Sequence, residues 1–262
     1  MLDIQNISVT FEKNPEPAVA GVNLEMKRGE IVCIVGESGS GKTTVIRAVL
    51  GCLPGGGYVS EGNIRFEGKS LLGFSREDWR KLRGKDISMI FQDSGAMINP
   101  VRRIGAQYVE YIRTHEKMSK KDAWDRGIEM LERMQLPSGD NIMRSYPFQL
   151  SGGMRQRVGI AMAMTFRPKL LLADEPTSAL DVTIQAQIVR QMMELRENYH
   201  TGMIVVTHNL GVAAYMADKI VVMKQGRVVE TGYRDQILYH PSNEYTENLL
   251  EAVPTIGGTR FV

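Results

Sequence analysis

Gly36-Glu37-Ser38-Gly39-Ser40-Gly41-Lys42-Thr43 has the spacing G-x-x-x-x-G-K-[ST], and its flanks decide what that spacing means. Upstream, Ile31 to Val35 is a continuous apolar run. Downstream, Thr44 to Leu50 contains neither Gly nor Pro and reads as a helix. Strand, glycine-rich turn and helix in succession make a P-loop. Glycines let the backbone bend until successive N–H groups face one anion, and the helix start adds about half a positive charge at the same spot. In that setting Lys42 would reach the β- and γ-phosphates of a nucleotide, and Thr43 would offer an oxygen to Mg²⁺.

The whole chain sets the bounds. With 262 residues, 43% of them hydrophobic, it can bury the core of one large domain, or of a domain with a sub-lobe. Lys and Arg number 32 against 30 Asp and Glu, so the net charge of +2 carries no electrostatic footprint for nucleic acid. Cys33 and Cys52 lie far from any C-x-x-C spacing and read as core thiols of a reducing compartment. No basic-then-apolar signal opens the chain and no apolar run approaches the roughly 18 residues of a membrane span, so a soluble chain is expected. That leaves open docking on a membrane protein.

Leu2 to Phe11 alternates loosely and predicts a half-exposed strand, which Asn14-Pro15-Glu16-Pro17 should break. A strand pattern resumes from Ala18 to Met26. Leu53 to Gly57 reads as a loop, Glu61 to Gly68 as a short edge-type strand, Arg76 to Leu82 as a charged helix and Ile87 to Phe91 as a buried strand. From about 94 to 165 the pattern is helical; Trp124, Ile128, Leu131 and Met134 recur at spacings of four and three, predicting an amphipathic helix over 122–134. Strand-like Lys169 to Ala173, Met203 to Thr207 and Lys219 to Met223 then alternate with helical stretches near 182–198 and 210–217, the signature of a parallel sheet covered on both faces. The tail from Arg234 reads as a short helical appendage and a loose end.

Two further stretches bear on the P-loop. Leu170 to Ala173 is an apolar strand ending in Asp174-Glu175, which places two carboxylates where a parallel sheet binds ligands. Asp174 fits a Mg²⁺ ligand and Glu175 a general base that polarises the attacking water. Leu150-Ser151-Gly152-Gly153-Met154 opens a helix with a second nest of backbone N–H groups, suited to an anion held by a different copy of the chain.

Taken in order, these motifs resemble the ATP-binding cassette family over about residues 1–240. Gly36 to Thr43 is similar to its Walker A motif, Gln92 to its Q-loop glutamine, and Ser151-Gly152-Gly153 to its signature, with Met154 where the family has Gln. Leu170 to Asp174 with Glu175 resembles Walker B, Ser178-Ala179-Leu180-Asp181 the D-loop, and His208 the switch histidine. The resemblance implies an α/β P-loop NTPase (RecA-like) core with a parallel sheet, an N-terminal antiparallel β subdomain and an inserted α-helical subdomain. The core with its β subdomain would span 1–93 and 166–233, the helical subdomain 94–165 and the appendage 234–262.

By the same resemblance, ATP would be held by Gly36, Ser38, Gly39, Ser40, Gly41, Lys42, Thr43 and Thr44, with Phe11 stacking on adenine. Mg²⁺ would be held by Thr43, Gln92 and Asp174. Glu175, His208 and Gln92 would carry hydrolysis, while Ser151, Gly152, Gly153 and the D-loop Asp181 would serve a nucleotide across a head-to-tail dimer. His115, His200 and His240 match no motif and are expected at the surface.

Gln156-Arg157, the run Ala173 to Ile188, and His240-Pro241 with Tyr245-Thr246 and Leu249-Leu250 resemble the dipeptide, oligopeptide and nickel importer branch. This implies an ATPase subunit at the cytoplasmic face of a bacterial membrane. Its partners would be a second, similar but distinct cassette, two transmembrane permease subunits and an extracytoplasmic binding protein, with no nucleic acid. Asp93 to Pro100 keeps the ends of the branch's coupling segment but changes its middle. No cysteine-rich C-terminal stretch is present, so no iron–sulfur cluster is expected, which moves the cargo reading towards nickel or metal chelates. Met162, Met164, Met192 and Met193 lie in helical runs and read as core filling. The alternative is a soluble cassette serving a phosphonate-cleaving enzyme, nucleic acid or the ribosome.

Overall fold

A computed structural model describes residues 1–178 and 180–251, together with the backbone of 255–256 and 259–260. Strands β1 (Leu2–Phe11) and β2 (Asn14–Met26) are followed by β3 (Ile31–Val35), helix α1 (Lys42–Leu50), β4 (Gly57–Phe66) and the two-residue β5 (Lys69–Ser70). Helix α2 (Arg76–Leu82) and β6 (Ile87–Ile90) lead into α3 (Ile104–His115), α4 (Lys120–Arg133), α5 (Gly139–Arg144) and α6 (Gly152–Met164). Then come β7 (Leu170–Asp174), α7 (Val182–Tyr199), β8 (Gly202–Val206), α8 (Leu210–Met216), β9 (Lys219–Lys224), β10 (Arg227–Tyr233), α9 (Arg234–Tyr239) and α10 (Glu244–Glu251).

The main sheet runs β10-β9-β3-β8-β7-β6, parallel throughout except for β10 against β9. Its central strands are unbroken apolar runs because both faces are covered. The two-residue period sorts their side chains: Ile31, Cys33 and Val35 enter the larger core beneath the helices, whereas Val32 and Ile34 enter a smaller core. That smaller core lies between α1 and the antiparallel sheet β2-β1-β4-β5. Helix α1 buries Val45, Ile46, Val49 and Leu50 there, each contributing about 1.5–3 kcal/mol of transfer free energy, so the P-loop ahead of it is firmly seated. Strand β8 separates β3 from β7, and the carboxyl ends of β3, β8, β7 and β6 form one rim, the place where open parallel sheets bind ligands.

Between β6 and β7 the chain is helical. Ser119 caps α4 by accepting from the Asp122 amide, so the helix starts two residues ahead of 122. The buried stripe of α4 is centred on Ala123, Gly127, Met130 and Leu131, with Trp124 and Ile128 half-buried beside it. No helix of the described residues is long and apolar enough to cross a membrane.

Several local expectations change. Asn14-Pro15-Glu16-Pro17 does not break the strand: Phe11 pairs with Asn14, and the turn is Glu12-Lys13. Strand β2 is an edge, exposed at these positions, where proline N–H groups are not needed. Strand β4 starts at Gly57 rather than Glu61 and lies inside its sheet, because β1 pairs with it as far as Phe11–Gly57. His115 is not a free surface residue; it is half-buried, edge-on to Tyr111 and Phe166. Cys33 is buried, its thiol pushed up to about 12 by burial and so unreactive, whereas Cys52 is half-buried against the smaller core. The loose end after Glu251 lies mostly outside the described residues.

The appendage is packed rather than loose up to Glu251: Ile237, Leu238, Tyr245 and Leu250 join the larger core. Its loop is held by Glu230 of β10, whose carboxylate accepts from Ser242 N (2.7 Å), Ser242 Oγ (2.8 Å) and Asn243 N (3.3 Å). Burial raises this carboxyl, but the hydrogen bonds outweigh burial and hold it below the usual range. A depressed carboxyl gives stability that is present above the unfolded range and lost as pH falls through the folded one. Glu230→Gln is therefore expected to cost about 1–2 kcal/mol at neutral pH, with the gap to the parent closing in acid, read by thermal melts across pH.

Candidate active site at the carboxyl ends of the strands

The loop between β3 and α1 owes its shape to backbone that only glycine tolerates. Gly36 has φ +144°, and a Cβ there would stand 2.1 Å from the Met223 carbonyl oxygen at the end of β9. Gly41, at φ +96°, begins α1 without any side-chain cap, and no acidic residue occupies the first turn. The first N–H groups of α1 are thus left for an outside anion. The Gly226 amide, in the turn after β9, donates to the Ser40 carbonyl and buttresses the loop from behind.

Lys42 is 6% exposed, and its ammonium folds back onto its own loop. It donates to the carbonyls of Gly36 (2.8 Å) and Glu37 (2.6 Å) and to Ser40 Oγ (3.4 Å). Burial lowers its pKa, against the pull of Glu175, Asp174 and Glu37. A buried cation satisfied only by neutral oxygens, beside an uncapped helix start, has the chemistry that suits an anion such as phosphate. Next to it, Thr43 Oγ1 donates to Asp174 Oδ1 at 2.8 Å. Asp174 is 1% exposed, and burial raises its pKa more than Thr43 lowers it. These hard oxygens, one carboxylate and one hydroxyl, fit Mg²⁺, which takes few protein ligands and fills its remaining positions from phosphate and water.

Glu175 stands one residue beyond β7 with φ +46°, uncommon for a side chain of this kind and the sort of strain found at functional positions. Its amide donates to the Val206 carbonyl of β8 at 2.9 Å, which holds the turn over the neighbouring strand. One carboxylate oxygen faces His208 Nδ1 at 3.2 Å, and the other accepts from Gln92 Nε2 at 3.3 Å. Lys42, Thr43, Asp174, Glu175, Gln92 and His208 thus converge from four adjacent strand ends, and Ser40 joins them through Lys42. Thr44 lies half-buried in α1, and Ser38 and Gly39 are exposed at the loop's mouth.

Other expected site residues lie elsewhere. Ser151 caps α6 by accepting from the Met154 amide at 3.2 Å, and it stays exposed together with Gly152. No hydrogen bond among the described residues joins this helix start to the P-loop. Leu180 packs beside Gly153, and Asp181 uses Oδ1 to cap α7 through the Ile184 amide (3.0 Å); Ala179 lies outside the described residues. Phe11 ends β1, half-buried on the smaller core opposite Asn14 and Gly57.

One junction was not singled out for the site by sequence. Gln156 in α6, 3% exposed, accepts from the Ser94 amide (2.9 Å) and donates to the Pro176 carbonyl (3.3 Å). It ties the segment after Gln92 and the turn after Glu175 to the signature helix. Its place two residues beyond Met154 was the available signal, but spacing alone does not show which carbonyl a glutamine will meet.

A family model described as ABC transporter matches residues 19–178, more than half of the chain. The chain belongs to the ABC transporter family. Oligopeptide transport ATP-binding protein AppD of Bacillus subtilis is 44% identical over 261 residues, covering 98% of this cassette and 80% of the relative. Oligopeptide transport ATP-binding protein OppD of Escherichia coli is 42% identical over 259 residues, covering 98% and 76%. Among solved structures, the cassette resembles the dimeric post-hydrolysis state of the ATP-binding cassette MJ0796 bound to ADP and Pi. There the TM-score is 0.80 at 29% identity, covering 89% of this chain and 99% of the other.

Asp174 is desolvated, which raises its carboxyl above the usual range. A raised carboxyl favours folding fully below the unfolded carboxylate range and loses that contribution as pH rises through the folded value, so the ionised form is a cost at neutral pH. Asp174→Asn keeps an oxygen for Thr43 and is expected to raise the melting temperature at neutral pH by about 2–4 °C without nucleotide or magnesium. The gain should vanish in acid.

Proposed function

We propose that this cassette is the ATP-hydrolysing subunit of a bacterial peptide importer, with Glu175 as the general base. The observation that carries the reading is the Glu175 carboxylate held between Gln92 and His208, beside the Thr43–Asp174 pair. Its 44% identity over 98% of the chain to AppD, an oligopeptide transport ATP-binding protein, supports the peptide-transport setting. Mg²⁺-bound ATP would supply the phosphoryl group and the charge that builds up on it.

The chain's own residues then have separable tasks. Lys42 turns from the Gly36 and Glu37 carbonyls, and the first amides of α1 add their partial positive charge. Thr43 and Asp174, joined by a 2.8 Å hydrogen bond, would hold Mg²⁺, which would supply positive charge beside the phosphates. Glu175, released from Gln92, accepts the proton of the attacking water, and His208 fixes the carboxylate's orientation from its other side. Gln92 leads into Ser94, which Gln156 joins to α6. A change at Glu175 thereby has a hydrogen-bonded route to the helical segment, which we take as a sub-lobe over 94–165 within a core of 1–93 and 166–233.

Ser151, Gly152 and Gly153 are assigned to a nucleotide in a second, similar but distinct cassette, because Ser151 and Gly152 are exposed and no hydrogen bond among the described residues joins this helix start to the P-loop. Asp181 adjoins that dimer face. Phe11, the last residue of β1, is the adenine-facing aromatic. The permease partner is assigned to an apolar cavity of about 390 Å³ lined by Ile87, Met89, Phe91, Met97, Tyr111 and Met162, among others. It opens beside the Gln92 segment, where an apolar coupling helix could push on it. Exposed Met97 (65%) and Val101 (78%) flank that segment. Peptide is preferred over nickel as cargo because the relatives described above are named for oligopeptides; cargo would be chosen by two permeases and an extracytoplasmic binding protein, with this chain on their cytoplasmic side.

Glu175→Gln is expected to leave ATP binding unchanged while lowering hydrolysis by about 100-fold or more; undiminished turnover would remove Glu175 from its role. Lys42→Ala should weaken ATP binding by about 100-fold in a nucleotide titration, since it deletes charge-assisted hydrogen bonds to phosphate. In the assembled transporter, peptide-loaded binding protein should stimulate ATPase activity; stimulation by nickel alone would overturn the cargo.

A further inference from the structure

The C-terminal appendage reaches the P-loop. The phenolic oxygen of Tyr245, on α10, accepts a hydrogen bond from the Glu37 amide at 3.1 Å, across 208 residues of sequence. The Glu37 carbonyl in turn accepts from Lys42 Nζ at 2.6 Å. The second residue of the loop is therefore held at its N–H by the appendage and at its C=O by Lys42. These two holds respond differently to a ligand. Lys42 has to leave the carbonyl in order to meet phosphate, whereas the amide held by Tyr245 is not among those at the start of α1.

Helix α10 is built to keep the phenol in place. Tyr245 is 8% exposed, with Lys224 Nζ 4.5 Å from its ring centroid. The Tyr245 amide donates to Asn243 Oδ1 at 2.9 Å, and the amides of Ser242 and Asn243 are gripped by the buried Glu230 carboxylate. Leu250, 1% exposed, anchors the other end of the helix. Burial raises the pKa of the phenol, which keeps it neutral and leaves its oxygen as the acceptor for Glu37. On the other flank of the loop, Gly36 abuts the Met223 carbonyl, so the loop is walled by β9 and pinned by α10.

We propose that Tyr245 is a positioning residue of the P-loop: through it the C-terminal appendage pins the Glu37 amide, so that the loop keeps its phosphate-binding shape once Lys42 has let go. This rests on the nucleotide reading given above. It makes the appendage an adjustable part of the ATP site, because displacing α10 lowers nucleotide affinity without touching any residue that meets the nucleotide.

The test is Tyr245→Phe in the full chain, which removes one oxygen and keeps the packed ring. Hydrogen exchange at the Glu37 amide, measured without nucleotide, should speed up by about three- to tenfold while the amides of α10 keep their protection. The dissociation constant for ATP should rise by a similar factor, with the melting temperature within about 2 °C of the parent. Unchanged Glu37 exchange, unchanged ATP affinity, or a uniform loss of protection through α10 would each overturn the pinning role. Failure of the parent chain itself to bind ATP would instead overturn the nucleotide reading, and the exchange measurement, made without nucleotide, keeps the two failures apart.

Discussion

One hydrogen bond, from Thr43 Oγ1 to Asp174 Oδ1, joins residues 131 apart in sequence and defines the site. It forms only because β8 separates β3 from β7 by one strand width on each side, so the start of α1 and the end of β7 lean over the same gap. The parallel register, pairing Cys33 with Val205 and Ala173 with Val205, fixes that spacing. A slip of one residue would turn every side chain of β7 to the opposite core and carry Asp174 away from Thr43. The two cores, divided by alternate residues of the same strands, therefore set the site geometry as well as the stability.

The same gap collects charge that water does not screen. Lys42 and Asp174 are both almost fully buried, their pKa values moved in the directions that disfavour charge. Isolated buried charges are costly, and the protein offsets them here with short local bonds that can be traded for a ligand: Lys42 to its own carbonyls, Thr43 to Asp174. Glu175 adds backbone strain at φ +46° and divides its carboxylate between Gln92 and His208. An arrangement satisfied only by replaceable contacts is poised for binding.

Mechanical continuity follows from Gln156. Its amide group meets both Ser94, downstream of Gln92, and Pro176, downstream of Glu175. The two residues that share a hydrogen bond in the site thus lead, through short turns, to the same buried side chain of the helix that Ser151 caps. The appendage, fastened by Glu230 and meeting the P-loop through Tyr245, joins α10 to the same structure.

The sequence by itself determined the P-loop, the alternation of strands and helices, the parallel sheet and the residue types at the strand ends, because these depend on local spacing and on the period of apolar residues. Helix starts were legible to within about two residues wherever a Ser or Asp cap was present, as at Ser151 and Asp181. It misread Asn14 to Pro17 because proline is tolerated on an edge strand, and edges are defined by neighbours. His115 matches no motif and reads as a surface residue, but the ring of Phe166, which covers it together with Tyr111 of its own helix, arrives from 51 positions away. Only the tertiary structure decided that Glu175 is shared by Gln92 and His208, that Gln156 bridges two turns, and that Tyr245 reaches Glu37. Each is a contact between residues tens to hundreds of positions apart, and its partner is chosen by how the sheet and helices pack, which no local pattern encodes.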